Sequence, residues 1–220
     1  GGMFLGKRSN PNGVDLMRNA PVDALVRPTF LVGGHRLGPW LPWYRGQPGQ
    51  GLEPESQALV DFVQAELFQA RSALSVDFHS GFGTADRLWY PYAKTTASFP
   101  RVLEARGLAQ LLSATHPHHV YEVEPQSVHY TTHGDLWDHV FDLHWAQHGP
   151  EGAVYVPWTL EMGSWIWVRK NPRQLLSPLG PFNPMLPHRY RRTMRRHLKL
   201  VDFMFSAVRH PQAWARGAVR

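Results

Sequence analysis

The sequence predicts an α/β fold, a mixed and mostly parallel sheet sandwiched between helices. Short apolar runs bounded by turn residues alternate along the chain with segments of helical periodicity. Strands alternating with helices argue for a sheet covered by helices rather than a bundle or a β-sandwich. A 43% hydrophobic content over 220 residues supplies a core for one globular domain, so residues 1–220 are read as a single unit of structure.

The elements follow in order. Residues 33–51 are rich in Gly, Pro and Trp and read as an irregular surface loop. Pro54 opens a helix, since proline suits the first helical turn. Leu59, Phe62, Val63, Leu67 and Phe68 recur at helical spacing over Glu55–Ala70. Ala73–Phe78 is a short apolar run that reads as a buried strand. Phe99–Ala114 is a second helix, weakened by Gly107. His119–Val123 reads as a strand ended by Pro125, Gly134–Gln147 as a helix, and Ala153–Leu160 as another buried strand. Tyr190–Val208 is a long C-terminal helix, with Tyr190, Met194, Leu198, Val201 and Phe205 on the stripe expected to pack on the sheet.

Composition narrows the function. Net charge is +6 with 13 His and no Cys. The basic balance favours acidic partners, and a solvated basic face explains it equally. Arg189, Arg191, Arg192, Arg195, Arg196 and Lys199 form such a face; it is read as solvated in preference to a nucleic-acid or anionic-lipid surface. Without Cys there is no disulfide framework and no thiolate metal site, so any metal must use His and carboxylates. No run of about 18 apolar residues occurs, so no membrane span is expected. Gly1-Gly2-Met3 reads as an expression scar or a truncation point, and with no signal peptide visible the cytoplasm is favoured.

Three stretches carry residues suited to chemistry. In Asn12-Gly13-Val14-Asp15-Leu16-Met17-Arg18-Asn19, Arg18 and Asn19 follow a Gly turn, which can present a guanidinium fork to a carboxylate. In Val76-Asp77-Phe78-His79-Ser80-Gly81, His79 stands at the C-terminal end of a strand, where ligands of α/β sheets bind. Taken alone, such a histidine reads first as a structural hydrogen-bonding residue. In Thr159-Leu160-Glu161-Met162-Gly163, Glu161 closes an apolar strand, a costly place for a carboxylate unless it is paired or functional. The Trp residues 40, 43, 89, 165 and 167 suit either a pocket for an apolar side chain or core packing.

Together these stretches resemble the zinc carboxypeptidases of the carboxypeptidase A type. The Gly-Val-Asp-Leu-Met-Arg-Asn run is similar to that family's Gly-Val-Asp-x-Asn-Arg-Asn signature. The resemblance covers about Arg8 to Val208, and Asp86–Tyr92, Glu124–Ser127 and Leu160–Trp165 look like a bacterial-type branch. It implies that His79 ligates zinc and that Glu161 takes a proton from water and passes it to the leaving amine. It further implies that Arg18 holds the substrate's terminal carboxylate, Asn19 supports that loop, and Arg8 steadies the oxyanion. Tyr130, four residues before Gly134, matches the family's mobile Tyr; a core or surface Tyr fits nearly as well. Met17 departs from the signature, whose Asn there also binds the carboxylate. Losing a hydrogen bond to a charged group costs roughly 1.5–3 kcal/mol.

A catalytic zinc takes three protein ligands, and in the family a His-x-x-Glu ahead of the signature supplies two of them. No His precedes Asn12 here. His119-Val120-Tyr121-Glu122 and His148-Gly149-Pro150-Glu151 have the spacing but not the order. The resemblance therefore implies a domain truncated at its N-terminal side, with one zinc ligand present. The implied activity is zinc-dependent hydrolysis of a peptide or amide bond beside a free carboxylate, with enzyme activity of this chain alone left open. The alternatives are a zinc-dependent acyl-amino-acid deacylase of the same fold, whose substrates would be N-acyl amino acids, and a catalytically dead peptide-binding domain.

Overall fold

The structure is a computed structural model that describes residues 7–81, 83–177 and 179–215. The reading of Gly1-Gly2-Met3 lies outside the described residues. The chain divides into two compact units. One comprises residues 1–71, 91–100 and 125–155; the other comprises residues 72–90, 101–124 and 156–220.

The first unit is built around α1 (Pro54–Glu66) and α3 (Leu136–His148), which pack on each other. Pro54 stands at the first position of α1, as its fixed φ and missing N–H allow. α1 buries Ser56, Val60 and Val63, followed by Phe68. Of the residues at helical spacing, Val63 and Phe68 reach the core, whereas Phe62 is 60% exposed and Leu59 also faces outward, with Val60 buried in their place. α3 is capped by Asp135, whose carboxylate accepts from the N–H groups of Trp137 and Asp138. Its inner face buries Leu136, Trp137, Val140 and Phe141. Phe99 meets Phe141 at 4.5 Å between ring centroids, and Tyr92 meets Phe99 edge-on at 5.7 Å. Such pairs add about 0.5–1.5 kcal/mol beyond burial.

The second unit carries most of the sheet. β1 (Ser72–Gly81), β2 (Asp86–Tyr90), β3 (Tyr121–Pro125) and β4 (Val154–Gly163) lie in the order β1-β4-β2-β3. β2 runs antiparallel to β4, with Arg87 opposite Glu161 and Trp89 opposite Thr159. β1 and β4 run the same way. Val154 N–H donates to Arg71 O where both begin, and Ser164 N–H donates to Gly81 O where both end. The sheet is thus mixed, with helices flanking it: the predicted α/β class. β4 is buried from Val154 to Leu160, which its near-continuous apolar run requires.

α2 (Val102–Thr115) buries Ala105, Leu108 and Leu112, and the short α4 (Trp165–Lys170) follows β4. α5 (Pro187–Arg209) packs against β1. Its buried stripe is His197, Leu200, Phe203, Met204 and Ala207. The stripe expected to do this faces outward instead: Tyr190 is 55%, Leu198 51% and Phe205 62% exposed. The two stripes lie side by side on the helix, and periodicity does not choose between them.

Candidate active site

In the first unit the Arg-Asn signature forms a braced loop. Leu16–Arg18 is a single 3-10 turn capped by Asp15, whose carboxylate accepts from Met17 N–H. Asp15 is buried, and Arg8 Nε donates to its Oδ2 at 2.5 Å. The Arg8 guanidinium is therefore engaged with the signature's own aspartate. Arg18 is buried too: its Nε donates to Val32 O at 3.1 Å and its Nη1 to Met17 O at 3.0 Å. These bonds fix the plane of the fork and leave Nη2 outside them.

Asn19 joins the loop to the start of α1. Its Oδ1 accepts from Glu53 N–H at 2.6 Å, and its Nδ2 donates to Arg45 O at 3.1 Å. The buried Glu53 carboxylate accepts in turn from Asn10 at 2.8 Å and Asn12 at 2.6 Å. Arg45 lies behind Arg18. It donates through Nε to Arg18 O at 3.2 Å, through Nη2 to Val22 O at 3.0 Å, and through Nη1 to Asp23 at 2.8 Å. Burial pulls the Arg45 guanidinium below its ordinary pKa, and its hydrogen bond holds the Asp23 carboxyl below the usual carboxylate range.

Tyr130 lies half-buried in the loop before α3. Gly134, the glycine of its motif, has φ +66 and sits where any Cβ would overlap Arg18 O. A side chain there is excluded both by the backbone conformation and by this close approach. Gly134 O also accepts from Ala20 N–H at 3.1 Å.

In the second unit the ends of β1 and β4 bring His79 and Glu161 together. His79 Nδ1 is 3.9 Å from Glu161 Oε2, and His79 Nε2 is 2.7 Å from Asp77 Oδ2. The side chains of His79 and Glu161 are 19% and 15% exposed, so the pair is screened but reachable. Room for the carboxylate comes from Gly81, where an added Cβ would overlap Glu161 Oε1. Behind β4, Asp86 accepts from Gly163 N–H at 3.1 Å and from Arg196 at 2.6 Å, which ties the end of β4 to α5. Burial holds the His197 imidazole below its ordinary value, against the pull of Asp86. Arg87, opposite Glu161 on β2, turns to Glu122 at 3.0 Å and Glu124 at 3.4 Å.

Neither His-x-x-Glu string forms a ligand pair. His119 stacks on Tyr121, and Glu122 faces Arg87. His148 ends α3 against His144, and the chain then turns at Gly149. Trp89 and Trp167 are buried, whereas Trp40 is 75% exposed. Nothing in the sequence alone marks Gly81, Asp86 or Arg87 as site residues, and Asp77 stands out only by its spacing from His79. Period-two alternation points to Asp77 beside His79; the others depend on strand pairing.

Residues 3–154 match the zinc carboxypeptidase family profile, and the chain belongs to that family. Among solved structures, that of thrombin activatable fibrinolysis inhibitor aligns with a TM-score of 0.54 at 20% identity, over 89% of this chain and 42% of that one. Bovine thrombin-activatable fibrinolysis inhibitor in complex with tick carboxypeptidase inhibitor aligns with a TM-score of 0.48 at 19% identity, over 76% of this chain and 55% of that one. The chain thus spans about half the length of the solved structures it matches. The first alignment shows the shared fold. No curated protein matches.

The family implies zinc, and a catalytic zinc takes three protein ligands. Among the described residues no three His, Cys, Asp or Glu side chains converge as a metal site. The remaining residues, 1–6, 82, 178 and 216–220, include none of these four types. Asp77 pairs with one nitrogen of His79, an arrangement common for zinc-bound histidines, so the misfit lies in the number of converging ligands. The residues of this chain therefore do not by themselves fit a complete zinc site.

Proposed function

We propose that the chain is the carboxylate-reading and proton-handling part of a metallocarboxypeptidase-like hydrolase, acting on a peptide or amide bond beside a free carboxylate. The observation that carries this reading is the meeting of His79 and Glu161 at the ends of two adjacent strands, within a chain of the zinc carboxypeptidase family. Arg18 receives the substrate carboxylate through its Nη2 edge. Asn19 and Arg45 hold that loop in place, as the bonds to Glu53 N–H and Arg18 O support. Arg8 is the reserve cation beside the signature, released to an oxyanion only by giving up Asp15. Tyr130 lies in the loop whose Gly134 abuts Arg18 and covers bound substrate. Glu161 takes a proton from the attacking water and returns it to the leaving amine. His79 offers its ring nitrogen beside that carboxylate.

The same geometry supports a second reading, a peptide-binding domain without catalysis, because no three metal-ligating side chains converge among the described residues. Both readings require carboxylate recognition. Calorimetric titration with an N-acyl amino acid and with its amide tests it. The acid is expected to bind about 10- to 100-fold more tightly, the worth of a hydrogen bond between charged groups. Arg18→Lys should abolish most of that difference, because an ammonium cannot reproduce the fork. Equal affinity for acid and amide removes the basis of both readings. A panel of peptides and N-acyl amino acids with added zinc then separates peptidase from deacylase, and silence toward both favours the binding domain.

A further inference from the structure

Residues 163–220 carry twelve Lys and Arg but one acidic residue, Asp202, a net of +11 in a chain whose total is +6. The residues before them therefore sum to −5. Positive charge gathered into one part of a chain points to an anionic partner. α5 carries the densest part of this charge. On its exposed side Tyr190, Met194, Leu198 and Phe205 form an apolar stripe, 40–62% exposed. Each helical residue is turned by about 100° from the last, so Arg191, Arg195 and Lys199 form a second, cationic stripe directly beside it. These three and Arg192 are exposed. Arg189 and Arg196 are engaged within the unit, on Trp167 O at 2.9 Å and on Asp86 at 2.6 Å. Asp202 is the one acidic residue of the helix.

We propose that the outward side of α5 rests on an anionic lipid surface, with its apolar stripe among the upper acyl chains and its cationic stripe against the headgroups. The apolar stripe runs about 22 Å from Tyr190 to Phe205 at 1.5 Å per residue. The helix lies along the surface and does not cross it; no helix among the described residues is long and apolar enough to do so. Nucleic acid would satisfy the cations but leave the apolar stripe in water or pressed against phosphates. A second copy would cover the apolar stripe but bring more cations and no matching anions. An anionic bilayer meets both stripes at once. The expectation of a merely solvated basic face went with an apolar stripe turned to the sheet. In the fold His197, Leu200, Phe203, Met204 and Ala207 take that inner place instead. This inference stands apart from the reading of His79 and Glu161.

The test is co-sedimentation of the full chain with phosphatidylcholine vesicles and with phosphatidylcholine–phosphatidylglycerol vesicles, beside a lipid-free control. The chain should pellet with the anionic vesicles only, and less so as salt rises. Arg191→Gln/Arg195→Gln should lower the partition coefficient about 30-fold, roughly fivefold for each cation at the surface. Leu198→Gln/Phe205→Gln leaves the charge untouched and should also weaken binding, because the apolar stripe is part of the contact. Both pairs are exposed, and circular dichroism checks that the variants fold. Equal binding to neutral and anionic vesicles, or to neither, overturns the proposal. So does wild-type binding by folded Leu198→Gln/Phe205→Gln, which would reduce the contact to charge alone. Retention of duplex DNA without retention of vesicles would assign the cations to a phosphate backbone. A dimer that Leu198→Gln/Phe205→Gln dissociates, again without vesicle binding, would assign the apolar stripe to a second copy. Either result also overturns the proposal.

Discussion

Gly81 and Glu161 exclude one another's growth: the place of a Cβ on Gly81 is already filled by the Glu161 carboxylate. Gly81→Ala should therefore displace Glu161 and cost about 1–3 kcal/mol by overpacking. Urea denaturation would read this as a lowered midpoint at unchanged slope. In Gly81→Ala/Glu161→Ala the clash disappears, so the double variant should be more stable than the sum of the single effects predicts. Additive effects would mean that the carboxylate is not lodged against β1.

Asn19 bridges the signature loop to the first turn of α1. Asn19→Ala strips the bonds to Glu53 N–H and Arg45 O together. Leaving buried backbone groups unpaired costs about 1–3 kcal/mol each. The expected result is a lower melting temperature and faster amide exchange at Glu53. Unchanged exchange at Glu53 would show that the bridge does not hold α1.

Arg45 reaches three acceptors in three directions, which a single ammonium cannot do. Arg45→Lys should lower stability and weaken binding of N-acyl amino acids, although Arg45 is not placed on the ligand. The same loss of affinity for acid and amide forms would count against its role in setting the Arg18 fork.

Acid should weaken the fold through its buried histidines. The folded-state pKa of His197 is lowered by burial, so below the unfolded value of about 6.5 the unfolded chain binds more protons. Stability present above that pH is lost as pH falls through 6.5 and below. His119, His133 and His139 shift in the same direction, each chiefly by burial. His197→Asn should therefore make the pH dependence of urea midpoints shallower between pH 7 and 5 (unfolded value about 6.5) without abolishing it. An unaltered slope would mean that His197 takes up its proton equally in both states.

Much of the architecture is legible in the sequence, because long apolar runs and helical periodicity follow from the need to bury one face. β1, β4 and the helices α1, α2, α3 and α5 lie where those patterns predict. β2 does not announce itself: Asp86-Arg87-Leu88-Trp89-Tyr90 has no clean alternation and becomes a strand by pairing with β4. The choice of buried stripe on α5 is hidden for a different reason. A histidine, His197, occupies the inner face, where Tyr121 meets its Nδ1 at 3.0 Å. The meeting of His79 and Glu161 follows from their strand ends. The engagement of Arg8 and Arg18 within their own loop could not be foreseen, since it depends on Asp15 and on the distant carbonyl of Val32.

The outward stripe of α5 has a colloidal consequence. Tyr190, Met194, Leu198 and Phe205 form a greasy ridge, and Arg191, Arg192, Arg195 and Lys199 are exposed beside it. At low ionic strength this cationic row should repel the same row on another copy. Salt shortens the reach of that repulsion to about 10 Å at 0.1 M and leaves the ridge as sticky as before. Solubility of this chain should fall as salt rises, the reverse of salting-in, and blunting the ridge should remove the effect.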